Sequence, residues 1–413
     1  MNYEQFSGRS VLLLGKTRAL NTEEFDTLLK LHKIERVSSY NDEVALIIEG
    51  RMMNPYEQEE SARLYEMQNC PIVELSGVEE WLCRSIEPNR LLMSLKLSRN
   101  QERLVDFLQN PYITDELFFK LLKLYDWRNE GLFDNDRNRD VTASIIGRFY
   151  EDLDRNHNVQ YAMSGLAHLI ELYGNAELIE AIAELTPIAR EIKNPIDRSY
   201  NGVLDAIALH PDTPESLLRQ LLTERSELLA HRVPLSLEEE LLKVEKLHPI
   251  LAQNESLSHR GVELLADTAG ELLAKHIVLD ETWFERFTAV YLLQLASNPT
   301  LTERMQEILI RSEHDEVMNA LASNSALSPA RCTYLHSLGR FSAALAANPS
   351  LSDKILVELS QSNDPSILAA LAANPSTPID VLYQLSLDQR FERSVKTNPA
   401  FGKHIQTHNI GWS

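Results

Sequence analysis

Three sets of residues have types and spacings that chemistry could use. Gly15-Lys16-Thr17 ends an apolar run in the manner of a G-K-[ST] loop, whose backbone N–H groups cradle phosphate. The preceding glycine is Gly8, leaving six intervening residues where such a loop has four, and these are strand-like. A strand end and a turn are expected. Asp134-Asn-Asp136-Arg-Asn138 and Asp152-x-Asp154-x-Asn156 both have the 1,3,5 spacing of a calcium loop. The glycine needed at position 6 is Arg139 or His157, and the bidentate glutamate at position 12 is Ile145 or Met163. Both segments therefore read as solvated interhelical loops. The 12 histidines contain no H-E-x-x-H spacing. His168 reads as a hydrogen-bonded histidine of an apolar helix, and Glu238-Glu-Glu240 as a solvated face. No serine sits in G-x-S-x-G, and no cysteine has an activating histidine nearby in sequence. No catalytic, cofactor-binding or metal-ligating residue is expected, and the chain reads as non-enzymatic.

The elements beneath these residues change character along the chain. Val11-Leu-Leu-Leu14 before Gly15 has the pattern of a buried parallel strand. Thr22-Glu-Glu-Phe25 reads as a capping box opening a helix with Phe25, Leu28 and Leu29 on its apolar stripe. Short strands are expected at Arg36-Val-Ser-Ser, Val44-Ala-Leu-Ile-Ile48 and Pro71-Ile-Val-Glu-Leu, with helices over residues 57–67 and 78–86. This alternation implies a small parallel sheet covered by helices. Residues 5–86 resemble a BRCT domain. Phe6-Ser-Gly-Arg-Ser-Val-Leu-Leu-Leu-Gly15 matches its opening strand, residues 44–50 its third strand and Cys70-Pro-Ile-Val the strand before the last helix. Trp81-Leu-Cys-Arg-Ser85 matches its W-x-x-x-S/C signature. The resemblance implies protein–protein contact without catalysis, often in DNA-damage or replication settings. Its phosphopeptide pocket does not carry over, because the expected Ser/Thr is Leu14 and the only cation in Ser61-Ala-Arg-Leu-Tyr65 is Arg63.

A second pattern fills the C-terminal half. The motif apolar-Ala-x-Asn-Pro recurs with Asn298, Asn324, Asn348, Asn374 and Asn398, at spacings of 26, 24, 26 and 24. Earlier copies are anchored at Asn110, His210 and Asn254, and the anchors 210, 254 and 298 are 44 apart. Eleven residues after seven anchors stand Leu121, Leu221, Leu265, Leu309, Leu335, Leu359 and Leu385. Thr114, Ser258, Thr302, Ser328 and Ser352 are expected N-caps. In two copies Thr213-Pro214 and Thr377-Pro378 are expected to cap one residue earlier, with proline at the first helical position. Each unit thus reads as a three-turn helix, a polar turn and a short helix stopped by Asn-Pro. Such units bury their leucines only by stacking. The asparagine column is expected to satisfy backbone groups where helices meet. His210 reads as a structural substitute in it. The pattern resembles the leucine-rich repeat variant family, an all-helical solenoid, over residues 200–413. Each 44-residue unit reads as a copy with an inserted helix, at 237–247 and 282–293, or as a HEAT-like helical pair.

The expected fold class is therefore α+β and multidomain. A BRCT-like α/β domain occupies residues 1–87, a helical region of degenerate repeats 88–205, and a predominantly α-helical solenoid of 24–26-residue (and 44-residue) repeats 206–413. Three cysteines are too few for a disulfide framework or a four-ligand zinc site. No basic-then-apolar leader opens the sequence and no apolar run is long enough to span a membrane, so a cytoplasmic location is expected. The net charge of −21 tells against non-specific polyanion binding. It is unevenly spread, since residues 314–413 carry only −1. These readings converge on a scaffold that binds a protein partner through the solenoid's concave face, with the BRCT-like domain as a second contact point. The rival is a nucleic-acid-associated protein of repair or replication. It would use Arg331, Arg340, Arg390, Arg393, Lys396 and Lys403, and would require a positive stripe on that face.

Overall fold

The computed structural model describes residues 2–150 and 157–408, and the chain divides into two compact units, Met1–Leu221 and Leu222–Ser413. The first opens with a four-stranded parallel sheet of β1 (Ser10–Leu14), β2 (Glu35–Val37), β3 (Val44–Glu49) and β4 (Ile72–Glu74), in the order β2-β1-β3-β4. Val11, Leu12, Ile47 and Ile48 are buried, as strands covered on both faces require. Three helices, Thr22–Leu31, Pro55–Met67 and Leu75–Arg84, alternate with the strands. The first is capped by Asn21 rather than Thr22, because Asn21 holds the extended backbone and its Oδ1 accepts the Glu24 amide at 2.9 Å. The second starts one turn-half earlier than its pattern suggests, on an Asn54–Glu57 capping box with Pro55 at the first helical position. From Pro88 onward the described residues of this unit are helical or in connecting turns.

The second unit consists of helices alone among the described residues. Its Leu265, Leu309, Leu335, Leu359 and Leu385 are buried, as are Leu121 and Leu221 of the first unit. Thr302 and Ser258 cap their helices through the side-chain oxygen, and Thr114 does so in the first unit. Ser328 and Ser352 stand at the cap position without that bond. Thr213 and Thr377 are not caps. Both are buried in the position three residues after the anchor, where Leu301, Leu327 and Leu351 stand in other copies. Their hydroxyls donate inward to the carbonyls of Ile207 and Leu371. The helix Ile379–Ser386 is then entered through Pro378 itself.

The 44-residue spacings are each two units rather than one unit with an insertion. Asn254 Nδ2 donates to the carbonyls of Ala230 and Arg232, and Asn298 Nδ2 to those of Ala274 and Ile277. Leu229-Ala-His-Arg232 and Leu273-Ala-Lys-His276 are therefore anchors that lack the asparagine. The segments at 237–247 and 282–293 belong to the units that follow them.

The second helices from Leu292 to Ala373 alternate in length, and the next, Gln389–Lys396, has 8 residues. Leu292–Ala296 and Ser342–Ala346 have 5 residues, whereas Asp315–Ser323 and Pro365–Ala373 have 9. Seven residues before the anchor stand Tyr291, Val317, Phe341, Ile367 and Phe391, aromatic at every other unit. The true period of the array is thus the pair of 26 and 24.

Candidate interaction surfaces

The asparagine column is the most ordered polar feature of the second unit. Asn324 Nδ2 donates to Ala296 O and Asn298 O, Asn348 to Ala322 O and Asn324 O, Asn374 to Ala346 O and Asn348 O, and Asn398 to Ala372 O and Asn374 O. All lie between 2.7 and 3.0 Å. Each Oδ1 accepts the amide two residues on, as at Ser350 and Ser376. Every side chain is thus buried with both Nδ2 hydrogens committed and its Oδ1 bonded, and no donor is left to grip a ligand. In the first unit Asn110 keeps only the local half of the pattern. Its Oδ1 accepts Tyr112 N while its Nδ2 donates to Cys83 Sγ at 3.3 Å. His210 copies that half with Nδ1 accepting Asp212 N.

The C-terminal cations are mostly neutralised in place. Arg331 lies near Glu303 and Glu307, Arg340 is 3.0 Å from Asp315, Arg390 is clamped by Asp388, and Lys396 is 2.7 Å from Glu392. Arg340 and Arg390 also lie over the rings of Phe341 and Phe391. Among the described residues only Arg393 and Lys403 of the six have no acidic partner. No cation stands on the helix Pro365–Ala373, which separates Arg340 from Arg390 in the array. A continuous positive stripe is absent from these second helices.

Two of them, Ser342–Ala346 and Pro365–Ala373, present small and uncharged side chains instead. They pack against one another in series. Their outward positions Ala343, Ala344, Ala347, Ala369, Ala370 and Ala373 are exposed or half-exposed. On the N-terminal side of this floor lie two depressions separated by the start of the helix Leu292–Ala296. One, of about 510 Å³, is lined by Leu293, Asp315, Glu316, Arg340 and Phe341 among others. The other, of about 630 Å³, is lined by Glu245, His248, Asp267, Glu271 and Tyr291 among others.

In the first unit, Glu79 is fully buried although it lies among the apolar residues of its helix. Its Oε1 accepts the amides of Arg18, Ala19 and Leu20 at 2.9, 2.9 and 3.1 Å. Sequence reasoning missed it, although a glutamate in register with Leu75, Val78, Leu82 and Cys83 is the signal. At the end of β1, Gly15 N donates to Glu57 Oε1 and Lys16 N to Arg51 O. A carboxylate therefore occupies the place where a phosphate-binding loop would hold its anion. Gly15 has φ of +86°, and a Cβ there would meet Arg51 O at 2.6 Å. Arg63 is paired with Glu60. Trp81 is half-buried against the rings of Tyr3 and His32.

A cleft of about 540 Å³ lies between Arg18-Ala19 and the helix Asp136–Phe149. Its Arg148 is bound to Asp115 and to the carbonyls of Asn110 and Ile113, and Ser144 Oγ donates to Asp140 O. Among the described residues its lining contains neither histidine nor cysteine. The calcium-like Asp134–140 run is consumed in starting that helix. Asn135 is its N-cap, and Asn138 is buried between Tyr125 Oη and Gly131 O. Asp152, Asp154 and Asn156 lie outside the described residues. Burial pushes the Cys83 thiol up to about 11, which leaves it inert as a nucleophile. Among the described residues no three His, Cys, Asp or Glu side chains are placed to hold a metal ion, and no helix is long and apolar enough to cross a membrane.

Comparison with known protein families, with characterised proteins and with solved structures finds no match to this chain.

Proposed function

We propose that the chain is a non-enzymatic interaction scaffold that binds a protein partner across the outward face of the second helices of Leu222–Ser413, with the N-terminal α/β module as a second contact point. The observation that carries this reading is the alanine floor. Soluble surfaces are normally rich in charged side chains, yet Ala343, Ala347, Ala369, Ala370 and Ala373 expose methyl groups in adjacent units. Small side chains let a partner's backbone approach closely and lose no rotamer entropy when covered. The repeat geometry supports a leucine-rich-repeat-variant-like array, and the order of strands and helices supports a BRCT-like module. The nucleic-acid alternative is weakened by the ion pairs that hold Arg331, Arg340, Arg390 and Lys396.

The test is site-specific photocrosslinking in cells. A photoreactive residue at Ala369 is expected to trap a discrete protein, whereas one at Lys354, exposed on a first helix, traps none. Equal trapping at both positions, or salt-sensitive DNA or RNA binding by the purified chain, overturns the reading.

A further inference from the structure

We infer that the two depressions on either side of the Leu292–Ala296 helix start form a docking groove for a lysine- or arginine-rich segment of the partner, an inference that rests on the scaffold reading above. The walls are apolar and aromatic. Leu293 is 42% exposed. Tyr291 lines one depression, while Leu293 and Phe341 line the other. Phe341 is buried beneath Arg340, and it is the part-exposed Tyr291 ring and the exposed Leu293 side chain that suit the methylene stems of long cationic side chains.

Charge complementarity selects the occupant. Glu245, Asp267 and Glu271 surround one depression, and Asp315 and Glu316 the other. Arg340 answers Asp315 at 3.0 Å, and Arg286 reaches Asp267 at 3.5 Å. Glu271 accepts only the neutral Gln294 amide at 3.0 Å. Glu245 and Glu316 have no cationic partner among the described residues. The groove therefore keeps three carboxylates unneutralised beside apolar walls. An acidic or neutral segment would leave these carboxylates facing like charge or no charge. A basic segment supplies the counter-charges and covers Tyr291 and Leu293 at the same time.

The test uses the full chain and a 12-residue synthetic lysine–alanine peptide, with a glutamate–alanine peptide of equal length, read by fluorescence anisotropy at physiological salt. The basic peptide is expected to bind and the acidic one not to. The triple variant E245K/E271K/E316K is expected to weaken binding at least tenfold, and the milder E245Q/E271Q/E316Q several-fold. The triple variant E263K/E285K/E313K changes net charge equally at exposed acids outside the groove and is expected to stay within twofold. Equal weakening by the two lysine triples means non-specific attraction to an acidic protein and overturns the inference, as does failure of the basic peptide to bind. Either failure leaves the crosslink at Ala369 as a separate reading of the scaffold. Loss of that crosslink with the peptide result intact would instead overturn the scaffold.

Discussion

The two units solve one problem, the satisfaction of buried backbone groups, with opposite chemistry. In Met1–Leu221 buried carboxylates are the acceptors: Glu79 collects three amides from a loop about sixty residues earlier in the chain, and Glu191 collects those of Ile196 and Asp197. In Leu222–Ser413 the donors are asparagine amides, and each unit ties two carbonyls of the unit before it. The first arrangement concentrates several amides on each of a few side chains, most of all on Glu79. The second divides it into equal shares between nearest neighbours, as expected of a quasi-one-dimensional array. Damage should accordingly be all-or-none in one unit and graded by position in the other.

Glu79→Ala should give the largest effect. It strands three amides, and by the penalty for unsatisfied buried groups it should cost about 3 to 5 kcal/mol. The loss of Trp81 fluorescence structure on thermal melting reads this out, and a melt displaced by only a degree or two would remove Glu79 from its central role. Asn348→Ala, inside the array, frees Ala322 O, Asn324 O and Ser350 N, for about 2 to 4 kcal/mol. Urea unfolding followed by circular dichroism measures this. Asn398→Ala removes the same bonds from the last asparagine unit, which can fray without its neighbours. Hydrogen exchange should show protection lost only beyond Asp388, and loss spreading to Ser342–Ala346 would contradict graded coupling. Arg340→Ala and Arg390→Ala remove exposed pairs and should each cost less than about 1 kcal/mol.

The smallest effect concerns pH. The hydrogen bond from the Arg36 guanidinium holds the Asp26 carboxyl below its ordinary value. Stability from a depressed carboxylate is present above the unfolded value of about 3.9 and is lost as pH falls through the lower folded value. Arg36→Ala should therefore reduce stability at neutral pH slightly and flatten its decline in that acidic window. An unchanged acid titration of stability would remove the pair from the account.

The asparagine spacing made the regular repeats legible, because a side chain that donates twice and accepts the amide two residues on makes the whole ladder pattern at each position. The hidden units escaped for a related reason. What Arg232 and Ile277 supply to the ladder is a backbone carbonyl, which any residue can supply, so the anchors before Asn254 and Asn298 needed no asparagine. Thr377 was misread as a cap because its hydroxyl turns inward to Leu371 O, filling a column otherwise held by leucine. Asn21 and Thr22 are both good caps, and only backbone geometry separates them. The strands β1 and β3 were legible from apolar runs that end at or just before a glycine. The basic residues proposed for nucleic acid were found as residues but not as a surface, since spacing along a chain says nothing about the carboxylates that meet them across units. The alanine floor was visible as letters, whereas its exposure follows from which helix face the leucines claim.

The alternation of aromatic and aliphatic residues seven positions before each anchor also limits how this array can change in length. Removing one unit of 24 or 26 residues would bring two aromatic or two aliphatic units side by side. Removing both together, fifty residues in all, would leave Phe391 in the setting that Phe341 has now, and would break no asparagine bond out of register. Shorter or longer forms of this chain should therefore differ by steps of fifty.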